Sequence, residues 1–66
     1  MNELHIENKG KKEKLFFEIL NSMGQVVFND HLIEKTIVQT TDWAPGIYLL
    51  KLKAASAVEL KKIVKD

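Results

Sequence analysis

The residues that could perform acid–base or metal chemistry in this sequence are few and widely spaced. His5 and His31 each stand alone on the polar side of a predicted strand, and no His-x-His or His-Glu-x-x-His spacing supplies a second ligand. The chain contains no cysteine, so a thiolate metal site is excluded. We therefore interpret both histidines as exposed strand residues and expect no metal and no cofactor.

The candidate acid–base pair and nucleophiles also have simpler roles. Asp30 and Glu34 could act as general acid and base, but they flank a predicted turn, where carboxylates commonly bind backbone N–H groups. Ser22 and Ser56 lie in predicted turns without the glycine-rich elbow that presents a nucleophile. The sequence predicts no catalytic residues, and we expect that the protein is not an enzyme.

Aromatic and lysine side chains remain as candidates for ligand binding. The aromatic residues could stack on bases or sugars, but they are scattered over different predicted strands, and Trp43 and Tyr48 are interpreted as core. The lysines cluster near the first turn and in the last two strands. We expect them to protect strand edges from pairing with other chains, and a basic patch for an anionic partner such as lipopolysaccharide is the alternative.

Length and charge restrict the class of protein. A chain of 66 residues forms one small domain, residues 1–66, with a marginal core. The formal net charge is +1 and the sequence has no arginine, which disfavours a nucleic-acid partner. No apolar run is long enough for a transmembrane segment, and polar residues follow Met1 where an export signal would be apolar.

The elements that position these side chains are organised around a predicted corner at Trp43–Gly46. Pro45 and Gly46 suit the two central positions of a type II turn from Ala44 to Ile47. In the strand that follows, Tyr48 and alternate leucines share one face. A buried tyrosine whose hydroxyl binds upstream backbone is typical of the tyrosine corner in immunoglobulin-like sandwiches. Trp43 supplies a large apolar anchor beside it.

The first half of the chain predicts three strands. Asn2–Asn8 places Leu4 and Ile6 on one face. Lys14–Leu20 is apolar on both faces, which favours a central place in the sheet or a partner on its outer face. Residues 21–24 suit a type I turn that ends at Gly24, and Gly10 suits the tip of the first turn. In the returning strand, residues 25–32, we expect Val27 to point inward with Val26 and Phe28 opposite, and the chain to begin turning at residues 29–31.

The second half predicts three more strands. Residues 35–40 are rich in β-branched side chains, and the Tyr48 strand follows the corner. The last segment, residues 57–65, also fits a helix, but we favour a strand with a β-bulge at Lys61-Lys62 because the preceding strand needs a neighbour. About six to seven short strands predict an all-β fold, a small antiparallel β-sandwich.

This order of residues resembles the type A C-terminal sorting domain of the type IX (Por) secretion system of Bacteroidetes. The resemblance is carried by Gly24 and Val27 after the second strand, by the corner of Trp43, Pro45, Gly46 and Tyr48, and by the terminal Lys61, Lys62 and Lys65. It covers nearly the whole chain. The family's Asn-Pro pair before the first strand is absent, so we interpret Met1 as an added start of a piece from a longer protein. Trp43 replaces a commoner leucine.

The resemblance implies an immunoglobulin-like sandwich that acts as a non-catalytic secretion signal. The machinery would recognise it in the periplasm, the N-terminal cargo domain would cross the outer membrane, and a sortase-like peptidase would remove the signal. The cargo would then be released or held at the cell surface. We also expect a homodimer by edge-strand pairing. The alternative function is an accessory or carbohydrate-contacting β-sandwich module that stays on a secreted enzyme.

Overall fold

The runs of alternating apolar and β-branched residues form strands in the computed structural model, which describes residues 2–8, 14–54 and 57–66. The six strands are β1 (Glu3–Glu7), β2 (Leu15–Leu20), β3 (Val26–Leu32), β4 (Lys35–Gln39), β5 (Gly46–Lys53) and β6 (Val58–Lys65). The predicted all-β class is therefore confirmed. The predicted turn at Gly10, together with Ala55 and Ser56, lies outside the described residues.

Two antiparallel sheets make up the described part of the domain. One contains β3, β2, β5 and β6 in that order, and the other pairs β1 with β4. This arrangement is consistent with the predicted small sandwich and confirms that β2 is internal to its sheet. Phe16, Glu18 and Leu20 point to the outer face of the sheet. They are nevertheless half-buried, because the neighbouring strands β3 and β5 cover them from both sides.

The core lies between the two sheets and draws on both. Ile6 and Val38 contribute from the smaller sheet; the larger sheet contributes Leu15, Phe17, Ile19, Leu32, Tyr48 and Leu50. Phe17 and Ile19 are completely buried. Burying a side chain of this size stabilises the fold by roughly 1.5–3 kcal/mol. The alternating residues Leu15, Phe17 and Ile19 of β2 thus supply the central part of the core.

The β2–β3 hairpin closes as the sequence predicts. The N–H of Gly24 donates to the carbonyl of Asn21 at 3.0 Å. The Asn21 side-chain oxygen also accepts bonds from the N–H groups of Met23 (2.9 Å) and Gln25 (3.0 Å). Gly24 has a φ of +81°, a left-handed conformation that glycine adopts without steric cost. The three-residue loop is therefore specified by Asn21 and Gly24.

The expected inward orientation of Val27 is wrong. The register shifts within the hairpin, with Leu20 opposite Val26 and Ile19 opposite Phe28, so Val27 is the extra residue of a β-bulge. Val27 is consequently 41% exposed. The bulge turns Phe28 toward the core side, where its ring stacks on Phe17 with centroids 5.8 Å apart.

Residues 29–31 also differ from expectation, since they continue β3 instead of beginning a turn. The backbone bends at Ile33 and Glu34, where the chain crosses to the smaller sheet. Asn8 holds this crossing, because its side-chain N–H donates to the carbonyl of Ile33 at 2.9 Å and its backbone N–H to that of Glu34 at 2.7 Å. The crossing is thereby fixed to the end of β1.

The last segment forms a strand, as favoured over a helix. β6 pairs with β5 over its full length, from Gly46 opposite Lys65 to Lys53 opposite Val58. The register is continuous, so the predicted bulge at Lys61-Lys62 is wrong. The apparent helical spacing has another origin: β6 is an edge strand, and Val58, Leu60 and Val64 lie exposed on its outer face instead of in the core.

Candidate functional site

The structure places the two candidate histidines in different sheets. His5 lies on β1, 3.5 Å from the Glu3 carboxylate, whereas His31 lies on β3 in the other sheet. Asp30 accepts a hydrogen bond from the N–H of His31 at 2.7 Å, a local backbone contact. Within residues 2–8, 14–54 and 57–66, no three His, Cys, Asp or Glu side chains gather as metal ligands would.

The aromatic side chains form separate pairs. Phe28 stacks on Phe17, and the Phe16 ring lies beside His31 with centroids 5.4 Å apart. Trp43 packs on Tyr48 at 4.9 Å. These contacts belong to different strands and different faces, so the rings do not make a continuous stacking surface for bases or sugars.

The corner before β5 is built around Tyr48. Its ring is 7% exposed, and its hydroxyl donates to the carbonyl of Ala44 at 2.6 Å. The N–H of Trp43 donates to the carbonyl of Thr40 at 3.0 Å, so the chain already turns between Thr40 and Trp43, before the corner itself. The buried ring and the bond to upstream backbone confirm the predicted tyrosine corner.

The predicted type II turn at this corner is wrong in detail. Gly46 has a φ of +152°, far from the value of about +80° that the turn requires at this position. The carbonyl of Ala44 instead accepts the Tyr48 hydroxyl. Glycine is still required here, since side chains with a β-carbon rarely adopt this backbone conformation. Pro45 directly precedes Gly46, the first residue of β5.

Strand register brings distant motif residues to one end of the larger sheet. β2 ends at Leu20, opposite Leu49, so the hairpin that follows continues toward the Gly46 end of β5. At that end, Gly46 lies opposite Lys65, the last residue of β6. The Gly24 hairpin, the corner and the end of β6 therefore lie together. We call this region the motif end and define it as residues 21–25, 41–47 and 64–65. Sequence reasoning found its parts but not their proximity.

The three terminal lysines occupy different environments. Lys65 is only 8% exposed and lies opposite Gly46 at the end of the ladder between β5 and β6. Lys61 lies on the side of β6 that faces the other sheet, 4.0 Å from Glu59 in an exposed ion pair, and Lys62 is exposed on the outer face. Exposed pairs of this kind contribute little to stability. The three residues are consistent with the expected protection of an edge strand.

A closer ion pair lies on the outer face of the larger sheet. The Lys53 ammonium is 2.8 Å from the Glu18 carboxylate and also lies over the Phe16 ring, 5.9 Å from its centroid. The hydrogen bond from Lys53, aided by the charges of Lys53 and Lys51, lowers the pKa of Glu18 from its ordinary value. This pair links β2 to β5 independently of the core.

Sequence reasoning missed a groove of about 560 Å³ between the sheets. It runs between β1 on one side and β5 and β6 on the other, and its apolar wall includes Leu4, Leu52 and Ile63. A groove in this position depends on which strands face each other across the sandwich. Local residue patterns carry no signal for such long-range placement.

Comparison with protein families identifies a match over the whole chain. The model of a family described as "Secretion system C-terminal sorting domain" matches residues 1–66. No curated protein and no solved structure matches the chain. In the described segments, no helix has the length and apolar character needed to cross a membrane.

Proposed function

This chain belongs to the family of secretion system C-terminal sorting domains, and from that premise we propose how it acts as a type IX secretion signal. The domain is attached to an N-terminal cargo and directs that cargo across the outer membrane to the cell surface or the medium. The family is generally non-catalytic. The observation that carries this function is the family match, which extends over all 66 residues.

The motif end is the surface that the secretion machinery reads. It combines the Gly24 hairpin tip, the Trp43–Gly46 corner and the end of β6, where Lys65 is 8% exposed. Tyr48 is buried and hydrogen-bonded, so its contribution is to hold the corner in shape. Recognition of this kind uses a preformed surface, and a rigid sheet end provides one without a cost for ordering on binding.

Removal of the domain by a sortase-like peptidase completes the proposed sequence of events. The cargo is then free or attached to lipopolysaccharide. A carbohydrate-contacting accessory module would instead stay on its parent protein. Intact-mass measurement of the secreted parent separates the two fates, because only a sorting domain is missing from the mature product.

A reporter fusion tests the proposal directly. Residues 1–66 are fused to the C-terminus of a fluorescent protein that folds in the periplasm, and the fusion is expressed in a type IX-competent bacterium and in a mutant lacking the machinery. We expect the reporter outside the outer membrane only in the competent strain. Periplasmic retention in both strains would contradict the proposal.

Self-association by edge-strand pairing belongs to the same proposal. In the described part of the chain, β3 and β6 are the edge strands of the larger sheet, and a second copy could pair with either. Sedimentation velocity over a wide concentration range measures this. A concentration-dependent shift from monomer to dimer is expected, and a monomer at the highest concentration would contradict it.

A further inference from the structure

The outer edge of β1 carries backbone groups directed away from its neighbour. The N–H of Thr40 donates to the carbonyl of Asn2 at 2.9 Å, and the N–H of Asn8 donates to that of Glu34 at 2.7 Å. Bonding to one neighbour alternates along an antiparallel strand, so Leu4 and Ile6 also bond to β4. The N–H and C=O groups of the three residues between them therefore point the other way; these are Glu3, His5 and Glu7.

No strand in the described part of the chain pairs with that edge. The groove of about 560 Å³ begins there and continues over the facing sheet. Leu52 and Ile63 are half-buried on its floor, and Leu4 is half-buried in its wall. A strand placed beside β1, about 4.8 Å away, would extend the smaller sheet. Its alternate side chains would lie over a floor that combines Leu52 and Ile63 with Glu59 and Lys61 of β6.

The charges on the outer face of β1, the face that points away from the core, indicate which side chains such a strand should carry. The side chains of Glu3, His5 and Glu7 are exposed on the face that points away from the core. Residues of an added strand that lie opposite Glu3 and Glu7 would be stabilised by positive charge, since opposite charges attract across neighbouring strands. Residues opposite Leu4 and Ile6 would face the groove and should be apolar.

We propose that the edge of β1 accepts an extended segment of another protein in which apolar residues alternate with basic ones. The segment adds a third strand to the smaller sheet, with its apolar side chains in the groove and its basic side chains opposite Glu3 and Glu7. This inference rests on the proposed function, in which a partner protein must recognise the folded domain. It adds the site and the chemistry of one such contact.

A second copy of the chain fits this edge less well. When two β1 strands pair antiparallel over their full length, Glu3 of each copy lies opposite Glu7 of the other. Like charges directly opposite each other destabilise a strand pair. The edge therefore favours a basic partner segment over another β1.

Two synthetic peptides test the charge pattern. One contains the core Lys-Val-Thr-Val-Lys and the other Glu-Val-Thr-Val-Glu, each with short polar flanks, titrated into the isotope-labelled domain. We expect the basic peptide to bind roughly tenfold more tightly, because two attractive cross-strand pairs replace two repulsive ones. The basic peptide should slow amide exchange at Glu3, His5 and Glu7 and leave Leu4 and Ile6 unchanged. Equal binding of both peptides would overturn the proposal.

A matched pair of proline variants tests the edge. His5 lies opposite Ile37, and each directs its N–H away from the ladder that β1 and β4 share. Proline removes one outward donor in either case, so His5→Pro should abolish binding of the basic peptide and Ile37→Pro should preserve it. Loss of binding in Ile37→Pro alone would place the site on β4 and overturn the proposal.

Circular dichroism and thermal melting establish that the proline variants are folded. If His5→Pro unfolds, the double variant Glu3→Lys, Glu7→Lys keeps the test decisive. It should prefer the acidic peptide, and an unchanged preference would overturn the proposal.

Sedimentation of the domain without peptide tests whether a second copy already occupies the edge. A dimer in which the outward amides of β1 are protected from exchange would show that it does, and this result would also overturn the proposal.

Failure of this inference and failure of the proposed function give different results. A domain that binds neither peptide yet exports its reporter contradicts only the β1 site. A domain that binds the basic peptide but exports nothing contradicts the secretion function and supports the β1 site.

Discussion

At the scale of single residues, Tyr48 connects the corner to the core. Its ring is buried between Trp43 and the sandwich, and its hydroxyl reaches back to Ala44 across the reversal. One side chain thus stabilises both the packing and the path of the backbone. The sequence predicted this role because a Gly-x-Tyr spacing places the ring two residues into the strand.

Replacing Tyr48 by phenylalanine should separate the hydrogen bond from the packing. Tyr48→Phe keeps the ring but removes the 2.6 Å bond to Ala44. We expect the free energy of unfolding to fall by about 1 kcal/mol, the usual net value of such a bond. Urea denaturation measures the change. Ile47→Val is the control, since Ile47 is 52% exposed and its truncation should have little effect; equal losses in both variants would contradict the account.

The Glu18–Lys53 pair predicts how stability depends on pH. The pKa of Glu18 is lowered in the folded protein, so the carboxylate binds a proton more readily when the chain is unfolded. The pair therefore stabilises the fold above the ordinary pKa of glutamate, and this contribution is lost as the pH falls through the lowered pKa.

Unfolding curves at several pH values measure that dependence. Lys53→Gln should reduce the loss of stability between neutral and acidic pH, because the partner that lowers the pKa of Glu18 is gone. Lys62→Gln, a change at an exposed lysine on β6, is the matched control. If the free energy of unfolding falls equally between neutral and acidic pH in Lys53→Gln and in the wild-type chain, the pair does not contribute to the pH dependence of stability.

At the scale of elements, β6 is the strand whose identity the sequence left most open. The N–H of Ala54 donates to the carbonyl of Ala57 at 2.8 Å, which sets the ladder between β5 and β6. Odd-numbered residues of β6 therefore bond to β5, and even-numbered residues point to the free edge.

Amide hydrogen exchange should follow this alternation. We expect slow exchange at Glu59, Lys61 and Ile63 and fast exchange at Leu60 and Lys62, since only the first group is bonded to β5. A helix would instead protect consecutive amides. Uniform protection across residues 59–63 would contradict the strand assignment and the position of Lys65 beside Gly46.

The elements also show where prediction from sequence fails. Alternation along β5 correctly placed Tyr48 and Leu50 on one buried face, because a strand with one buried face has a period of two. The bulge at Val27 adds one residue to β3, so the residues after it point to the opposite face from the one that simple alternation predicts. The local sequence contains no signal for this bulge. The exposed apolar residues of β6 gave a false signal for a bulge at Lys61-Lys62, since an edge strand does not bury its outer face.

At the scale of the whole molecule, the sequence did not predict which distant segments of the chain lie close together in the fold. The corner, the hairpin and Lys65 were recognised separately, and the register of β2, β5 and β6 brings them to one end of a sheet. The free edge of β1 and its groove likewise follow from the pairing of strands far apart in the chain. These features depend on topology, whereas the individual turns depend on local chemistry.

The central claim is that the folded shape of this domain is the secretion signal, and export of variant fusions measures it most directly. Gly46→Val should strain the corner by about 1–3 kcal/mol, whereas Gly24→Asn should cost little because asparagine tolerates a φ of +81°. Secreted reporter is quantified for both variants, alongside the stability of each isolated domain. We predict that Gly46→Val unfolds the domain and abolishes export while Gly24→Asn preserves both; full export of an unfolded Gly46→Val fusion would contradict the account.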